Sequence, residues 1–279
     1  MSDPTIPFRL FRLSVLRTRR LSPSMLRVTF GGDAEAGEDL AGFASGGRDQ
    51  SLSLFLPHPG QDAPVLPPET DPDWFTSYRA MDAGVRAVMR SYTVRAQRPE
   101  AGEVDIDFAL HPDGGPACRW AENAVAGRRV TVLGPALADN TGVRFRPADD
   151  TDWVLVWADE TALPAASAAL EQLPAGTPAR VWISVPHPDD AVALTTAADA
   201  EVTWLVAGDG ARDPLEAIGA AELPAGTPYV WIAGESSSVK ALRRHFVRER
   251  GHDKQRVTFT GYWRRGLSED ALREAPEEA

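Results

Sequence analysis

Arg90-Ser91-Tyr92-Thr93 sets a permanent cation, an aromatic ring and small hydroxyls within four residues. On a β-strand, Arg90 and Tyr92 share one face and Thr93 takes the other. A flat, phosphate-bearing cofactor needs such a set: a guanidinium fork for phosphate, a ring to lie against, a hydroxyl for a heteroatom. The same spacing also suits a half-buried barrel strand with solvated arginines, so the surrounding elements must decide. A second stretch runs from His111 through Gly114-Gly115-Pro116-Ala117 to Trp120. Its glycines turn the chain and its Pro116 stands where a helix can begin, which would turn backbone N–H groups and a helix dipole toward an anion. Gly-Gly-Pro turns also occur without ligands, and Trp120 suits a core anchor.

The elements that must position these residues fall into two kinds. The amino-terminal half alternates apolar and polar residues over Phe8 to Arg20, Met25 to Phe30, Ser51 to Leu56, Arg90 to Ala96, Glu103 to Leu110 and Arg128 to Leu133. These predict a six-stranded antiparallel β-barrel, with the proline-rich stretch His58 to Asp73 as a surface excursion. In the carboxy-terminal half, short apolar strands (Trp153–Trp157, Arg180–Val185, Val202–Val206, Tyr229–Ala233, Val257–Thr260) alternate with helical patterns. Those helices are expected over Ala162 to Leu173, Asp189 to Ala198, Asp213 to Leu223 and Ser237 to Arg250. Such alternation describes an α/β parallel-sheet domain. The hexapeptide Leu-Pro-Ala-Gly-Thr-Pro occurs at 173–178 and 223–228, an αβ turn used twice. The expected domains are 1–140 and 151–279, the latter with a C-terminal tail, joined through Ala136 to Thr151 where Gly, Pro and Asp cluster.

Parallel sheets bind ligands at the carboxyl ends of their strands. Two such ends carry candidates: Asp159-Glu160-Thr161-Ala162 and Gly234-Glu235-Ser236-Ser237. Either also reads as an ordinary capped βα turn. No Gly-x-Gly-x-x-Gly, Gly-x-Ser-x-Gly, P-loop or His-Glu-x-x-His motif is present, so standard Rossmann, hydrolase, nucleotidase and zinc chemistries have no support.

The net charge of −11 and pI near 5.0 argue against a nucleic-acid binder. A single cysteine, Cys118, excludes an internal disulfide, a cysteine zinc site and a cysteine-ligated iron–sulfur cluster. The first residues, Met1 to Thr5, lack a signal-peptide pattern, and no stretch reaches membrane-spanning length, so a cytoplasmic protein without membrane insertion is expected.

Together these blocks resemble the siderophore-interacting proteins, the FAD-dependent ferric-siderophore reductases of the ferredoxin-reductase superfamily. The resemblance is carried by Arg90–Arg95, Asp107–His111, Gly115–Ala121 and Asp159–Pro164, then by Ala233–Glu235, Val239–His245 and Gly261–Gly266. It implies FAD as cofactor, NADPH or NADH as electron donor and a ferric siderophore or other ferric chelate as substrate; a monomer is compatible with the sequence, which leaves the oligomeric state open. Under the resemblance, Arg90 meets the FAD pyrophosphate, Ser91 belongs to the same cofactor-binding stretch, Tyr92 lies along the flavin or its ribityl chain, and Thr93 approaches flavin N5. His111, Gly115 and Ala117 hold the diphosphate. Thr161 and Ala162 close on the flavin and the nicotinamide approach, Gly234 and Glu235 line the nucleotide side, and Tyr262 and Trp263 wall the flavin. Arg264 and Arg265 are the substrate-binding cations, and no acid–base catalyst or metal ligand is implied. Family members often carry Lys, Arg and His-Arg where this chain has Ser53, Ala136 and Val206-Ala207. A flavin reductase serving another enzyme, and a non-catalytic flavin or chelate-binding module, therefore stand as alternatives.

Overall fold

The computed structural model describes residues 6–112, 114–208, 210–267 and 271 of the 279. The expectations for Met1 to Thr5 and for nearly all of the C-terminal tail lie outside these residues. The chain divides into two compact units, residues 1–21 with 26–143, and residues 22–25 with 144–279. No helix among the described residues is long and apolar enough to cross a membrane.

The first unit is an antiparallel sheet of seven strands rather than six. Its members are β1 (Phe8–Ser22), β2 (Met25–Gly32), β3 (Ser51–Leu56), β4 (Val88–Thr93), β5 (Ala96–Arg98), β6 (Glu103–Ala109) and β7 (Arg129–Pro135), in spatial order β4-β3-β7-β1-β2-β6-β5. The expected strand Arg90 to Ala96 is in fact two. After Thr93 the chain changes partner: Val94 N donates to Gln50 O at 2.8 Å beside β3, and Arg95 N donates to Asp105 O at 2.9 Å on β6. The two outermost strands are thus joined through Val94-Arg95, and this link curls the sheet toward closure. Inside lie Phe11, Leu13, Val28, Phe30, Leu54, Ile106, Phe108 and Val132, all fully buried. Helix α2 (Pro116–Glu122) adds Trp120, whose ring packs beside Phe30 and Phe108.

Between the proline-rich stretch His58 to Asp73 and β4 the chain does more than run over the surface. It forms helix α1 (Trp74–Ala80), and Trp74 and Tyr78 stack on each other and meet Phe55 edge-on, covering the outer face of the sheet. Prolines hide such a segment from pattern reading, because its aromatic anchors lie beyond the proline run.

One face of β6 carries Glu103, Asp105 and Asp107, the other Val104, Ile106 and Phe108. Arginines from neighbouring strands enclose the acids. Arg17 reaches Glu103 at 2.6 and 2.7 Å, and Arg98 reaches Glu103 at 2.9 Å and Asp105 at 2.7 and 2.8 Å. Arg27 clamps Asp107 at 2.7 and 2.8 Å, with Arg95 3.8 Å away. These forks bury Asp105 and Asp107 while satisfying them, the condition under which a buried charge is tolerated.

The second unit is a five-stranded parallel sheet, β8 (Trp153–Asp159), β9 (Pro178–Val185), β10 (Asp199–Val206), β11 (Pro228–Glu235) and β12 (Val257–Trp263), in order β10-β9-β8-β11-β12. Helices α3 (Leu163–Leu170), α4 (Pro214–Gly219) and α5 (Ser236–Arg244) connect them, and a π-helical turn over 245–249 extends α5. The central strands β8 and β11 are buried throughout, which explains their unbroken apolar sequence. The helix expected over Asp189 to Ala198 does not form; only a single 3₁₀ turn stands at Pro188–Asp190. Thr196 explains part of this. Its hydroxyl donates to Leu170 O at 2.7 Å and accepts from Ala198 N at 3.1 Å, giving the backbone a local partner in place of a helical one.

Hydrogen bonds from Arg17 and then Arg98 hold the Glu103 carboxyl down at about 2, against an ordinary value near 4.5. A depressed carboxylate contributes stability above its unfolded pKa and loses it as pH falls through the folded one. Glu103→Gln is therefore expected to flatten the fall of the thermal midpoint between roughly pH 4.5 and 2. An acid limb identical to that of the parent protein would contradict this.

Candidate functional site

In the first unit the predicted residues gather around β4 and the start of α2. Register pairs Tyr92 with Leu52 and Arg90 with Leu54, so both stand on the face that carries the apolar interior, while Thr93 pairs with Ser51 on the other. The Tyr92 ring packs against Phe108 with centroids 4.5 Å apart, and Arg90 Nη1 donates to Met89 O at 2.7 Å. Thr93 is buried and Ser91 is exposed opposite Ser53. His111 is exposed, and its carbonyl accepts from Gly114 N at 2.9 Å, closing the turn before α2. A side chain at Gly114 would collide with Cys118, whereas one at Gly115 would meet nothing within 4 Å. Gly115 is the N-cap of α2, no side chain caps that helix, and buried Ala117 lies in its first turn.

In the second unit a residue of a candidate strand end, one with no role assigned from the sequence, organises the rest. Asp159, at the end of β8, is 5 % exposed. Its Oδ1 accepts from Thr161 N at 3.0 Å, Thr161 Oγ1 at 2.6 Å and Ala162 N at 3.3 Å. Its Oδ2 accepts from Glu235 N and from Trp263 Nε1, both at 2.7 Å. Four predicted residues, Thr161, Ala162, Glu235 and Trp263, thus converge on one carboxylate that ties together the ends of β8, β11 and β12. Gly234 belongs to the same arrangement. Its φ is +144°, and a Cβ there would lie 2.5 Å from Asp159 Oδ2. Asp159 was legible as part of its motif, but its role depends on partners distant in sequence.

The remaining carboxylates here serve other ends. Glu235 is the N-cap of α5, accepting from Ser237 N at 2.8 Å, Ser238 N at 3.2 Å and the Ser237 hydroxyl, and from Arg265 N at 3.4 Å. Burial raises its pKa, yet these hydrogen bonds win and hold it below the ordinary value. Its side chain is therefore committed to structure, and what it can present to a ligand is its position. Ser236 Oγ donates to Trp263 O at 2.8 Å, fixing the segment that holds Tyr262 and the exposed Arg264 and Arg265.

Burial raises the Asp159 pKa, but every neighbour hydrogen-bonded to it is a donor, so the carboxylate remains the form that fits. Burial and that adjacent charge push Glu160 up to about 7. The structure thus sets a half-buried acid that titrates near neutrality next to a fixed anion.

A groove of about 540 Å³ runs between α4 and the β9–β10 face. Trp182 and Trp204 line it, and Arg212 stands near the end of β10.

Asp159→Asn removes an acceptor from a fully donating shell and is expected to cost about 1–3 kcal/mol in denaturant unfolding, the scale for a buried donor left without a partner. A loss under about 0.5 kcal/mol, the scale of a neutral surface change, would contradict the hub. For Glu160 the sign is opposite to that of Glu103. Its folded pKa is raised, so stability falls as pH climbs from about 4.5 to about 7 and then levels. Glu160→Gln should remove that decline, which a series of melting curves across this window would reveal.

Residues 14–139 match the siderophore-interacting FAD-binding domain, and residues 151–266 match the siderophore-interacting protein domain. The chain is 33% identical over 258 residues to the NADPH-dependent ferric-chelate reductase of Escherichia coli, covering 91% of this chain and 93% of that protein. It is 30% identical over 267 residues to the ferric vibriobactin reductase of Vibrio cholerae, covering 94% and 92%. The crystal structure of the siderophore-interacting protein SipS from Aeromonas hydrophila superposes with a TM-score of 0.76 at 32% identity, covering 97% of each chain. With both units matched and relatives aligned along nearly the full length, the chain belongs to the siderophore-interacting protein family.

Proposed function

We propose that this protein is an FAD-dependent oxidoreductase that takes electrons from NADPH or NADH and delivers them to a ferric siderophore or similar chelate, releasing iron as Fe(II) in the cytoplasm. The observation that carries the reading is the grouping of Arg90, Tyr92 and Thr93 beside an uncapped helix start in a domain of the FAD-binding family.

The residues present fit FAD. Open space lies before Gly115, and no side chain caps the first turn of α2, as an incoming diphosphate requires. Arg90 supplies a guanidinium on the strand beside it, with Ser91 and His111 as flanking polar groups. Tyr92, backed by Phe108, gives a rigid aromatic surface, and Thr93 a hydroxyl held at the strand end. Bound FAD supplies hydride acceptance and single-electron release, which links a two-electron donor to one-electron iron.

The protein's own part is binding and placement. Thr161, Ala162, Gly234, Glu235 and Trp263 are fixed by Asp159 in the geometry we assign to the nucleotide and flavin side, with Tyr262 adjoining. Arg264 and Arg265 offer positive charge for an anionic chelate. Ferric iron is the substrate here, and its oxygen donors hold the ferrous ion less tightly, so reduction itself loosens it. Arg212 is the cation available near the end of β10, where Val206 and Ala207 are neutral, and both nucleotides stay candidates.

Ser53 and Ala136 favour a second reading, a flavin reductase or electron-transfer partner, because they leave two positions uncharged where the resemblance leads one to expect cations. One anaerobic experiment distinguishes the readings. The purified protein is expected to show a flavin spectrum, to bleach with NADPH or NADH, and to reoxidise on adding a ferric siderophore. Bleaching without reoxidation by any ferric chelate selects the second reading, and flavin that neither nucleotide reduces leaves a non-catalytic module or a reductase fed by a protein donor. Arg90→Ala is expected to weaken FAD retention about tenfold or more, the worth of a charge-assisted contact. Arg264→Ala/Arg265→Ala should raise KM for an anionic chelate and leave nucleotide-driven bleaching intact.

A further inference from the structure

Residues 236–250 carry five Lys or Arg and a single carboxylate, Glu249, in a chain with 40 acidic and 29 basic residues. Four of those cations, Lys240, Arg243, Arg244 and Arg248, line a surface depression of about 370 Å³ together with Val247. Their spacings of three, four and eight place them along one side of the helix. No carboxylate is among the described residues that line the depression. Glu249 is engaged elsewhere, meeting His245 Nδ1 at 2.8 Å, while Arg250 Nε donates to His245 Nε2 at 2.8 Å. The Arg243 guanidinium lies 4.4 Å above the ring of Phe259, which is 42 % exposed, so one wall of the depression is held in place.

Like charges three and four apart on a helix repel, so gathering four of them on one side has a cost. Arg243 and Arg244 complement the carboxyl end of α5, which offsets part of it. That benefit does not extend to Lys240 in the middle of the helix or to Arg248 beyond it. The helix also leads away from the strand ends where Asp159 lies, because it begins at the end of β11. Its basic side is therefore distinct from the cluster around Asp159.

We propose that this depression is a binding site for a phosphate-type oxyanion, carried either on a small soluble molecule or on a lipid headgroup. Four cations around a space of this size fit a group with two or more negative charges, and guanidinium forks match its oxygens.

The test uses the flavin-loaded protein with two probes, pyrophosphate by titration calorimetry and phosphatidylcholine vesicles with or without phosphatidylglycerol by cosedimentation. Arg244→Gln/Arg248→Gln is expected to weaken the interaction roughly thirtyfold, with flavin content and thermal midpoint preserved. Arg248→Lys serves as the charge-retaining control and should bind nearly as the parent does. Pyrophosphate binding assigns a soluble ligand, and sedimentation only with phosphatidylglycerol vesicles assigns a headgroup. Binding of neither probe at low salt, or binding that the double glutamine variant retains in full, would overturn the proposal.

Discussion

The second unit depends on one buried anion surrounded by donors. A parallel sheet leaves its strand ends to loops, and loops drift unless something fixes them. Asp159 does so at three strand ends at once, by drawing the amides of Thr161, Ala162 and Glu235, the Thr161 hydroxyl and the Trp263 indole onto two oxygens. The carboxylate loses hydration on burial and recovers it as five short contacts. Close approach to Gly234 follows, since only a residue without Cβ leaves room for that carboxylate. The same charge adds to burial in raising the pKa of Glu160. One side chain thus determines loop geometry, residue choice and local electrostatics.

The first unit is held by a comparable device on a different scaffold. Acids on one face of β6 are gripped by arginines from β1, β2, β5 and the Val94-Arg95 link, while the other face of β6 builds the apolar interior. The Arg95–Asp107 approach is notable because both residues belong to stretches that look chemical in the sequence. In the fold they act as a brace, holding the corner at which β4 ends and β5 begins. Arg90, five residues earlier, stands on the opposite side of that corner, along β4. Two arginines in one short motif thus differ in duty, one anchoring the fold and the other assigned to the cofactor.

How much of this the sequence revealed depended on whether the cause was local. Alternation and apolar runs marked the strands, because burial on one face or two writes itself directly into residue order. The break at Val94 was invisible, since both halves are β-like and only their partners differ. The helix expected over Asp189 to Ala198 failed for a similar reason, with Thr196 bonding to Leu170, far away in sequence. For the candidate site, position at strand ends points to Thr161, Gly234 and Glu235, and the family resemblance points to Trp263. The function of Glu235 as a helix cap and of Asp159 as the common acceptor was not legible. The second rests on contacts between strands that lie adjacent in space and distant along the chain; for the first, a capped turn is legible in the sequence, but not that Glu235 rather than a serine caps it.

Charge follows a pattern through both units. Carboxylates at structural points are turned inward onto N–H groups, hydroxyls or guanidinium forks, as at Glu103, Asp105, Asp107, Asp159 and Glu235. An acid spent in this way still counts in the net charge of −11 but presents little field to an approaching anion. Arg264, Arg265 and the basic side of α5 face outward instead. An acidic protein can therefore meet anionic ligands at chosen places, because these carboxylates are bound up in holding the fold while cations are gathered where a ligand can reach them.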